Sequence, residues 1–256
     1  MRTKLIILGC GSSMGVPRID GYWGKCNNKN RKNMRSRCSA IIIKGSNSIL
    51  IDTSPDIRFQ LLNNKIKTIS SVLFTHEHAD QTNGLFELRP FFWQKNKKIN
   101  IYGNSHTLNL LKKRFNYCFK ETPSYPPIVR ANLIRKKFFI GRFDGRINFK
   151  TLIVKHGQTN AVGYIFEKVA YLSDCNDLSI IKKNILRNLN YLILDCLKIK
   201  SNYAHFSLED ALYVHKMLKP KKTILTNLHS DLDYNFLLSK MPRNIIPAYD
   251  GLKLKL

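Results

Sequence analysis

The sequence has no Cys-X-X-Cys pair, no long apolar run, and few acids: 17 Asp plus Glu against 43 Lys plus Arg. No stretch approaches the roughly 20 apolar residues that span a bilayer. The start, MRTKLIILGCGSS, is too short and too soon interrupted by glycine to supply a signal-peptide h-region of roughly 7 to 15 residues. A soluble, cytoplasmic protein with no membrane partner is therefore expected. Without an export signal, the six cysteines at 10, 26, 38, 118, 175 and 196 read as buried thiols and not as bridges. Cys26 and Cys38 flank a basic loop, but two thiols do not complete a tetrahedral zinc site.

The shortage of acids leaves a net charge of +26. Such a field attracts polyanions and phosphorylated substrates. Lysine and asparagine are spread along the whole chain, however, which a compositional drift would also produce. Only NKNRKNMRSR, Asn28 to Arg37, concentrates charge into a patch. With 256 residues, 43% of them hydrophobic, the chain is long enough for one large core, and one domain over residues 1–256 is expected.

Short apolar strands are expected at Leu5–Leu8, Ala40–Ile43, Ile49–Ile51, Val72–Phe74, Leu152–Val154, Tyr171–Leu172, Tyr191–Leu194 and Thr223–Leu225. The Gly-Ser-Asn-Ser turn between the second and third of these reads as a hairpin. Helical spacing marks Asp56–Asn63, Ser105–Phe115 and Ser207–Leu218, the last opened by Ser207 and Asp210 at capping-box spacing. Strands and helices interleave from end to end, so the fold class expected is α/β.

The residues just past the strands are informative. Val-Leu-Phe runs into Thr75 and His76, Leu-Ile-Val into His156, Tyr-Leu into Asp174, Ile-Leu-Ile into Asp52, Leu-Ile-Leu into Asp195, and Thr-Ile-Leu into Asn227 and His229. Rigid strands that end in His or Asp can deliver those side chains to one edge of a sheet. In THEHAD, His76, His78 and Asp80 stand two apart, which in extended chain puts all three on one side. Imidazoles and carboxylates together suit zinc, manganese or iron.

THEHAD, with KHG at His156, LSD at Asp174, LGCGSSMGVP, SILIDTSPD, ELRPF, HFSLEDAL and YDGLKL, resembles the metallo-β-lactamase fold, a four-layer αββα sandwich. The likeness is to its phosphodiesterase branch, which includes the phosphoribosyl cyclic-phosphate phosphodiesterase of the carbon-phosphorus lyase pathway. The tRNA 3′-end-processing endonucleases are more distant. The resemblance implies one or two divalent ions, zinc or manganese. The first would be held by His76, His78 and His156, with Asp174 bridging. The second would take Asp80, which counts as catalytic as well, Asp174, and two further histidines.

Those two histidines are matched here by Gln81 and Asn227. An amide carbonyl is a weaker zinc ligand than imidazole, so the second site is expected to be weakened, with His229 placed to compensate. The branch's accessory zinc is expected to be absent, since only Cys26 of its cysteines is kept and Ser230 stands near its histidine. The resemblance makes His205 the general acid, with an ordinary pKa of about 6.5 that suits proton transfer near neutrality. Ser12 and Ser13, Arg89, and Arg35 or Arg37 are candidates for phosphate contact, and Asp52 for support of a ligand histidine. His106 and His215 have no such support.

The function expected is a metal-dependent phosphodiesterase acting on a small phosphorylated or nucleotide-like substrate. A nuclease, a degenerate noncatalytic phosphate or nucleotide binder, and a homodimeric assembly stay open at this point.

Overall fold

The computed structural model describes residues 2–123, 125–200 and 203–256. In chain order the strands and helices are β1 (Lys4–Gly9), β2 (Ser39–Lys44), β3 (Asn47–Ile51), α1 (Ile57–Asn63), β4 (Ser71–Leu73), α2 (Ala79–Thr82), α3 (Arg89–Lys95), β5 (Ile99–Gly103), α4 (Ser105–Arg114), α5 (Asn116–Phe119) and β6 (Val129–Leu133). Then come β7 (Lys137–Ile140), β8 (Ile147–His156), β9 (Thr159–Phe166), β10 (Val169–Leu172), β11 (Tyr191–Asp195), α6 (Leu208–Leu218), β12 (Lys222–Thr226), α7 (Tyr234–Lys240), β13 (Ile245–Pro247) and β14 (Leu252–Lys255). The strands form two sheets, in the orders β14-β1-β2-β3-β4-β5-β6 and β13-β12-β11-β10-β9-β8-β7.

Two sheets of this size carry four faces, and each must be covered. Ile7, Ile42, Ile51 and Leu73 of the first sheet share a buried cluster with Phe149, Tyr164, Tyr171 and Ile193 of the second. Their neighbours along the strands, such as Ile6, Ile41, Leu50 and Val72, point the other way, onto Ile57, Leu61, Phe92 and Leu108 of α1, α3 and α4. Leu172, Leu192 and Leu194 likewise meet Ala211, Val214 and Leu237 of α6 and α7. The layers are thus αββα, as the motifs imply. Burial on both faces is why SAIIIK and YLIL read as unbroken apolar runs without alternation.

The β2–β3 hairpin forms where expected, pairing Lys44 with Asn47. Gly45 supplies the positive φ of 55° that the tight turn needs. Strands β3, β4, β5 and β6 run parallel, as do β10, β11, β12 and β13. In such sheets the space beyond the carboxyl ends of the strands is where ligands bind. Among the described residues no helix is long and apolar enough to cross a membrane.

One expectation about local structure is corrected. Strand β4 stops at Leu73, His78 is the N-cap of α2 with φ −60° and ψ 152°, and Asp80 lies in the first turn of that helix. His76, His78 and Asp80 therefore converge through a loop and a helical turn, not through alternation along extended chain.

Candidate metal centre

The loop after β4 is held from three sides. Asp52, directly after β3, accepts hydrogen bonds from the Thr75 backbone N–H and hydroxyl, both at 2.8 Å. The same hydroxyl lies 3.0 Å from Nδ1 of His76. Burial raises the pKa of Asp52 well above the usual carboxylate range, against the pull of the two Thr75 hydrogen bonds. Because the Thr75 hydroxyl donates to Asp52, its single proton is committed there, and its oxygen accepts Nδ1–H of His76 and leaves Nε2 bare. Asp52 thus supports a ligand histidine at one remove, through Thr75. Between the two histidines Glu77 is buried. Its carboxylate accepts from Thr159 at 3.0 Å and Thr107 at 3.3 Å, and its carbonyl accepts from Arg114 at 2.5 Å. This brace had no signal in the sequence beyond its place between ligands.

Three imidazoles meet at the centre. Ring centroids lie 4.5 Å apart for His76 and His78, 4.9 Å for His76 and His156, and 5.0 Å for His78 and His156. One nitrogen from each falls within 4.8 Å of the other two. His156 is oriented by Nδ1, 2.9 Å from the Ala204 carbonyl, which places Nε2 3.2 Å from Nδ1 of His78. Burial lowers the pKa of His76 to about 4 and that of His78 below its ordinary value, so their lone pairs are available. His76 Nε2 is buried with no hydrogen-bond partner. A buried orphan costs roughly 1–3 kcal/mol, and a cation among the three imidazoles removes that cost. The residues therefore fit a divalent metal ion.

The carboxylates stand beside them. Asp174, at the end of β10, is buried and accepts from Ser173 Oγ at 2.7 Å. Burial opposes its charge, but the His76, His156 and His205 side chains together hold its pKa below the usual range. Burial and the Asp174 charge push Asp80 up to about 6. Gln81 is fully buried, with Nε2 3.3 Å from Asp174 and 3.5 Å from Asp80. Rotated by half a turn, the same amide donates to the Cys38 carbonyl at 3.3 Å and to Asp52 at 3.2 Å. Its oxygen then faces the two carboxylates, an arrangement that only a cation among these oxygens makes favourable. Asn227, just past β12 at φ 61°, bridges Asp174 at 3.4 Å and Asp195 at 3.2 Å.

His205 lies against His156, ring centroids 4.6 Å apart. Its Nδ1 is 2.7 Å from Asp195. Burial disfavours charge on the ring, but Asp195, Asp174 and Asp80 outweigh it and raise its pKa to about 9. Asp195, the fully buried end of β11, also accepts from the Cys175 N–H at 2.9 Å. Sequence reading missed its role, although it belongs to the same series of strand-ending acids.

A cavity of about 260 Å³ opens over this cluster, lined by Ser12, Ser13, His78, Asp80, His156, Asp174, Lys198, His205, Asn227 and His229 among others. Four expectations need correction. His229 lines the cavity, but its Nδ1 lies 3.4 Å from Asp231 and it joins neither group of converging ligand atoms, so the second site is not rebuilt around it. Arg89 is elsewhere, its guanidinium 4.1 Å from the Phe86 ring and 5.1 Å from Trp93. Arg35 is buried, donating to Asn33 at 3.1 Å and to the Leu232 carbonyl at 2.7 Å. Arg37 pairs with Asp56 at 2.6 Å. All six cysteines are buried and form no disulfide, and the Arg35 guanidinium lies 3.8 Å from Cys26 Sγ.

Comparison with known proteins agrees with this geometry. A crystal structure described as a new diphosphatase from the PhnP family superimposes with a TM-score of 0.89 at 33% identity, covering 100% of this chain and 98% of its own. The short form of human tRNase Z (ELAC1) superimposes with a TM-score of 0.68 at 16% identity over 98% of each chain, which speaks for the fold alone. A curated protein of Porphyromonas gingivalis named octanoyltransferase is 29% identical over 254 residues, 98% of this chain; the chain spans about half, 51%, of that protein's length. The beta-lactamase superfamily domain model matches residues 47–227, the span from β3 to the Asn227 that closes the ligand cluster, and the chain belongs to that superfamily of hydrolase fold.

Proposed function

We propose that this chain is a metal-dependent phosphodiesterase that hydrolyses a small phosphate ester or diphosphate. The observation that carries this reading is the orphaned Nε2 of His76 inside a ring of three imidazoles, with a charged His205–Asp195 pair on the adjoining wall. His76, His78 and His156 would hold one ion and Asp80 and Asp174 a second, with the amides of Gln81 and Asn227 beside it. When bound, the metal supplies a water acidified to near neutrality and a clamp for phosphate oxygens.

The remaining chemistry belongs to the chain. His205 gives Nδ1–H to Asp195, which leaves Nε2–H to pass to the departing alkoxide. With a pKa raised to about 9, the ring stays protonated at neutral pH, as a general acid must. Asp195 is the positioning residue that fixes its tautomer and charge. The family match at 33% identity is to a protein described as a diphosphatase, which supports a phosphoryl substrate. An acyl-transfer reading after the octanoyltransferase finds no exposed thiolate, because burial raises the pKa of every cysteine.

Protein loaded with zinc or manganese is expected to cleave bis(p-nitrophenyl) phosphate or a nucleoside cyclic phosphate. In His76→Ala the rate is expected to fall to background. Asp195→Asn is expected to lower kcat by about 10²-fold to 10⁴-fold, the usual contribution of a general acid. Wild-type turnover no higher than that of His76→Ala would overturn the reading.

A nuclease is the second reading, favoured by an open groove of about 800 Å³ lined by Lys98, Lys112, Lys113, Lys120 and Arg130. Its mark is a steep loss of oligonucleotide binding with salt. A preference for mononucleotides that does not change with salt excludes it.

A further inference from the structure

Two basic grooves lie away from the metal centre. The first, of about 800 Å³, sets Lys98, Lys112, Lys113, Lys120 and Arg130 around Phe119, Val129 and Ala131. The second, of about 420 Å³, lies where Ser71 opens β4, Ile99 opens β5 and Ile140 closes β7, and it adds Lys95, Lys97 and Arg142. Lys98 lines both, so the two grooves meet at one side chain. Among the described residues no Asp or Glu lines either groove, and none of these cations pairs with a described carboxylate. Like charges held together in this way repel one another, and a polyanion relieves that repulsion.

The place of the grooves in the fold separates them from the chemistry. Asn47, Ser71 and Asn100, which line the second groove, stand at the amino ends of β3, β4 and β5, and these strands run parallel. Asp52 and His76 follow the carboxyl ends of β3 and β4. No described residue lines both a groove and the metal cavity.

Rings are interleaved with the cations. Phe119 in the first groove and Phe91 and Tyr102 in the second are half-buried, whereas Phe139 is 54% exposed. The Arg146 guanidinium lies 3.8 Å from the Phe139 ring centroid, a pairing that offers flat surfaces to a nucleobase. Cations that follow phosphates, with rings for the bases between them, are the features that hold single strands. Cavities of this size fit a slender ligand, not a flat bilayer or a double helix. We propose that the two grooves form one track for single-stranded nucleic acid, which holds the strand apart from the metal centre. The track stands whether or not the centre hydrolyses an ester. It differs from the substrate channel of a nuclease in that the metal takes no part in binding.

The test is the fluorescence anisotropy of a labelled oligouridylate of about 12 nucleotides, titrated with the full chain over a range of salt. For wild type, log K is expected to fall against log salt with a slope of about −4, as for about six neutralised phosphates. Lys112→Gln/Lys113→Gln in the first groove and Lys95→Gln/Lys97→Gln in the second are each expected to make the slope shallower by about 1.4. Lys253→Gln/Lys255→Gln, exposed on β14 at the other edge of the first sheet, is expected to leave it unchanged. Phe139→Ala is expected to weaken binding about fivefold or more without changing the slope. A duplex of the same length is expected to bind at least about tenfold more weakly than the single strand. Chelation of the metal and His76→Ala are each expected to leave the affinity within about twofold.

An equal effect of the β14 pair would make the attraction diffuse and overturn the track, as would a response to only one of the two groove pairs. Binding of the duplex as tightly as the single strand also overturns it. Loss of binding on chelation, or cleavage of the oligonucleotide by metal-loaded wild type, would put the strand in the metal cavity instead. Failure to hydrolyse bis(p-nitrophenyl) phosphate would sink the hydrolase reading and leave these binding results to decide the track.

Discussion

Gln81 concentrates the chemistry of this centre in one amide. It is fully buried between Asp80, Asp174 and Asp52, in a position where imidazole would add a stronger donor to a second ion. Gln81→His is expected to tighten the second metal about tenfold and to raise turnover, read by metal content after dialysis against a graded chelator. Unchanged metal content would show that position 81 does not serve a second ion. Of the residues in this centre, the sequence made His76, His78, Asp80, His156 and Asp174 visible through their types and their places just past strands, and His205, ahead of α6, through the HFSLEDAL resemblance. Asp195 was visible only as one more strand end. Lys198 was invisible, one of 43 basic side chains with no motif around it. Arg89 and Arg35 failed as phosphate contacts for the same reason: charge type is in the sequence, whereas the direction of a side chain is a product of packing.

Among the elements, the loop from Cys26 to Arg37 shows how a charged segment becomes structure. Asn33 donates to Asp233 at 2.6 Å and Arg35 reaches the Leu232 and His229 carbonyls at 2.7 and 3.4 Å. The basic stretch is thereby tied to the segment before α7. Arg35→Met keeps much of the volume but leaves these acceptors unpaired, and is expected to lower stability by about 3 kcal/mol, read from urea unfolding. Strands such as β2, β4 and β11 were legible as apolar runs because both their faces are covered. The strands missed were β5, β6, β7, β9, β13 and β14. VRANL and KFFI, at the sheet edges, each bury only one residue among exposed and half-buried ones, and IIP is three residues long. Helices α4 and α6 were legible through their spacing, and α6 carries the capping box that Ser207 and Asp210 promise.

Across the whole molecule, Asp250 joins the ends of the chain. It accepts from Cys10 N–H at 3.1 Å and from the Ser36 N–H and hydroxyl at 2.7 and 2.6 Å, next to the β1–β14 pairing of Lys4 with Lys255. Burial lifts its pKa to about 6 from an ordinary 3.8, despite these hydrogen bonds. The folded state thus binds the proton more tightly than the unfolded state. The stability this confers is complete below about pH 4 and is lost as pH rises through 6. The unfolding free energy of wild type relative to Asp250→Asn is expected to fall by about 2 kcal/mol between pH 4 and pH 7. A flat difference would show that Asp250 is ionised throughout. The αββα layering was legible because motif and strand order agree, but this closure was not, since it links residues 240 positions apart. It also makes one acid the shared tether of three segments: with Asp250 replaced, the backbone N–H groups of Cys10 and Ser36 lose their common acceptor, so the strand end that leads toward the metal cavity is uncoupled from the C-terminal strand.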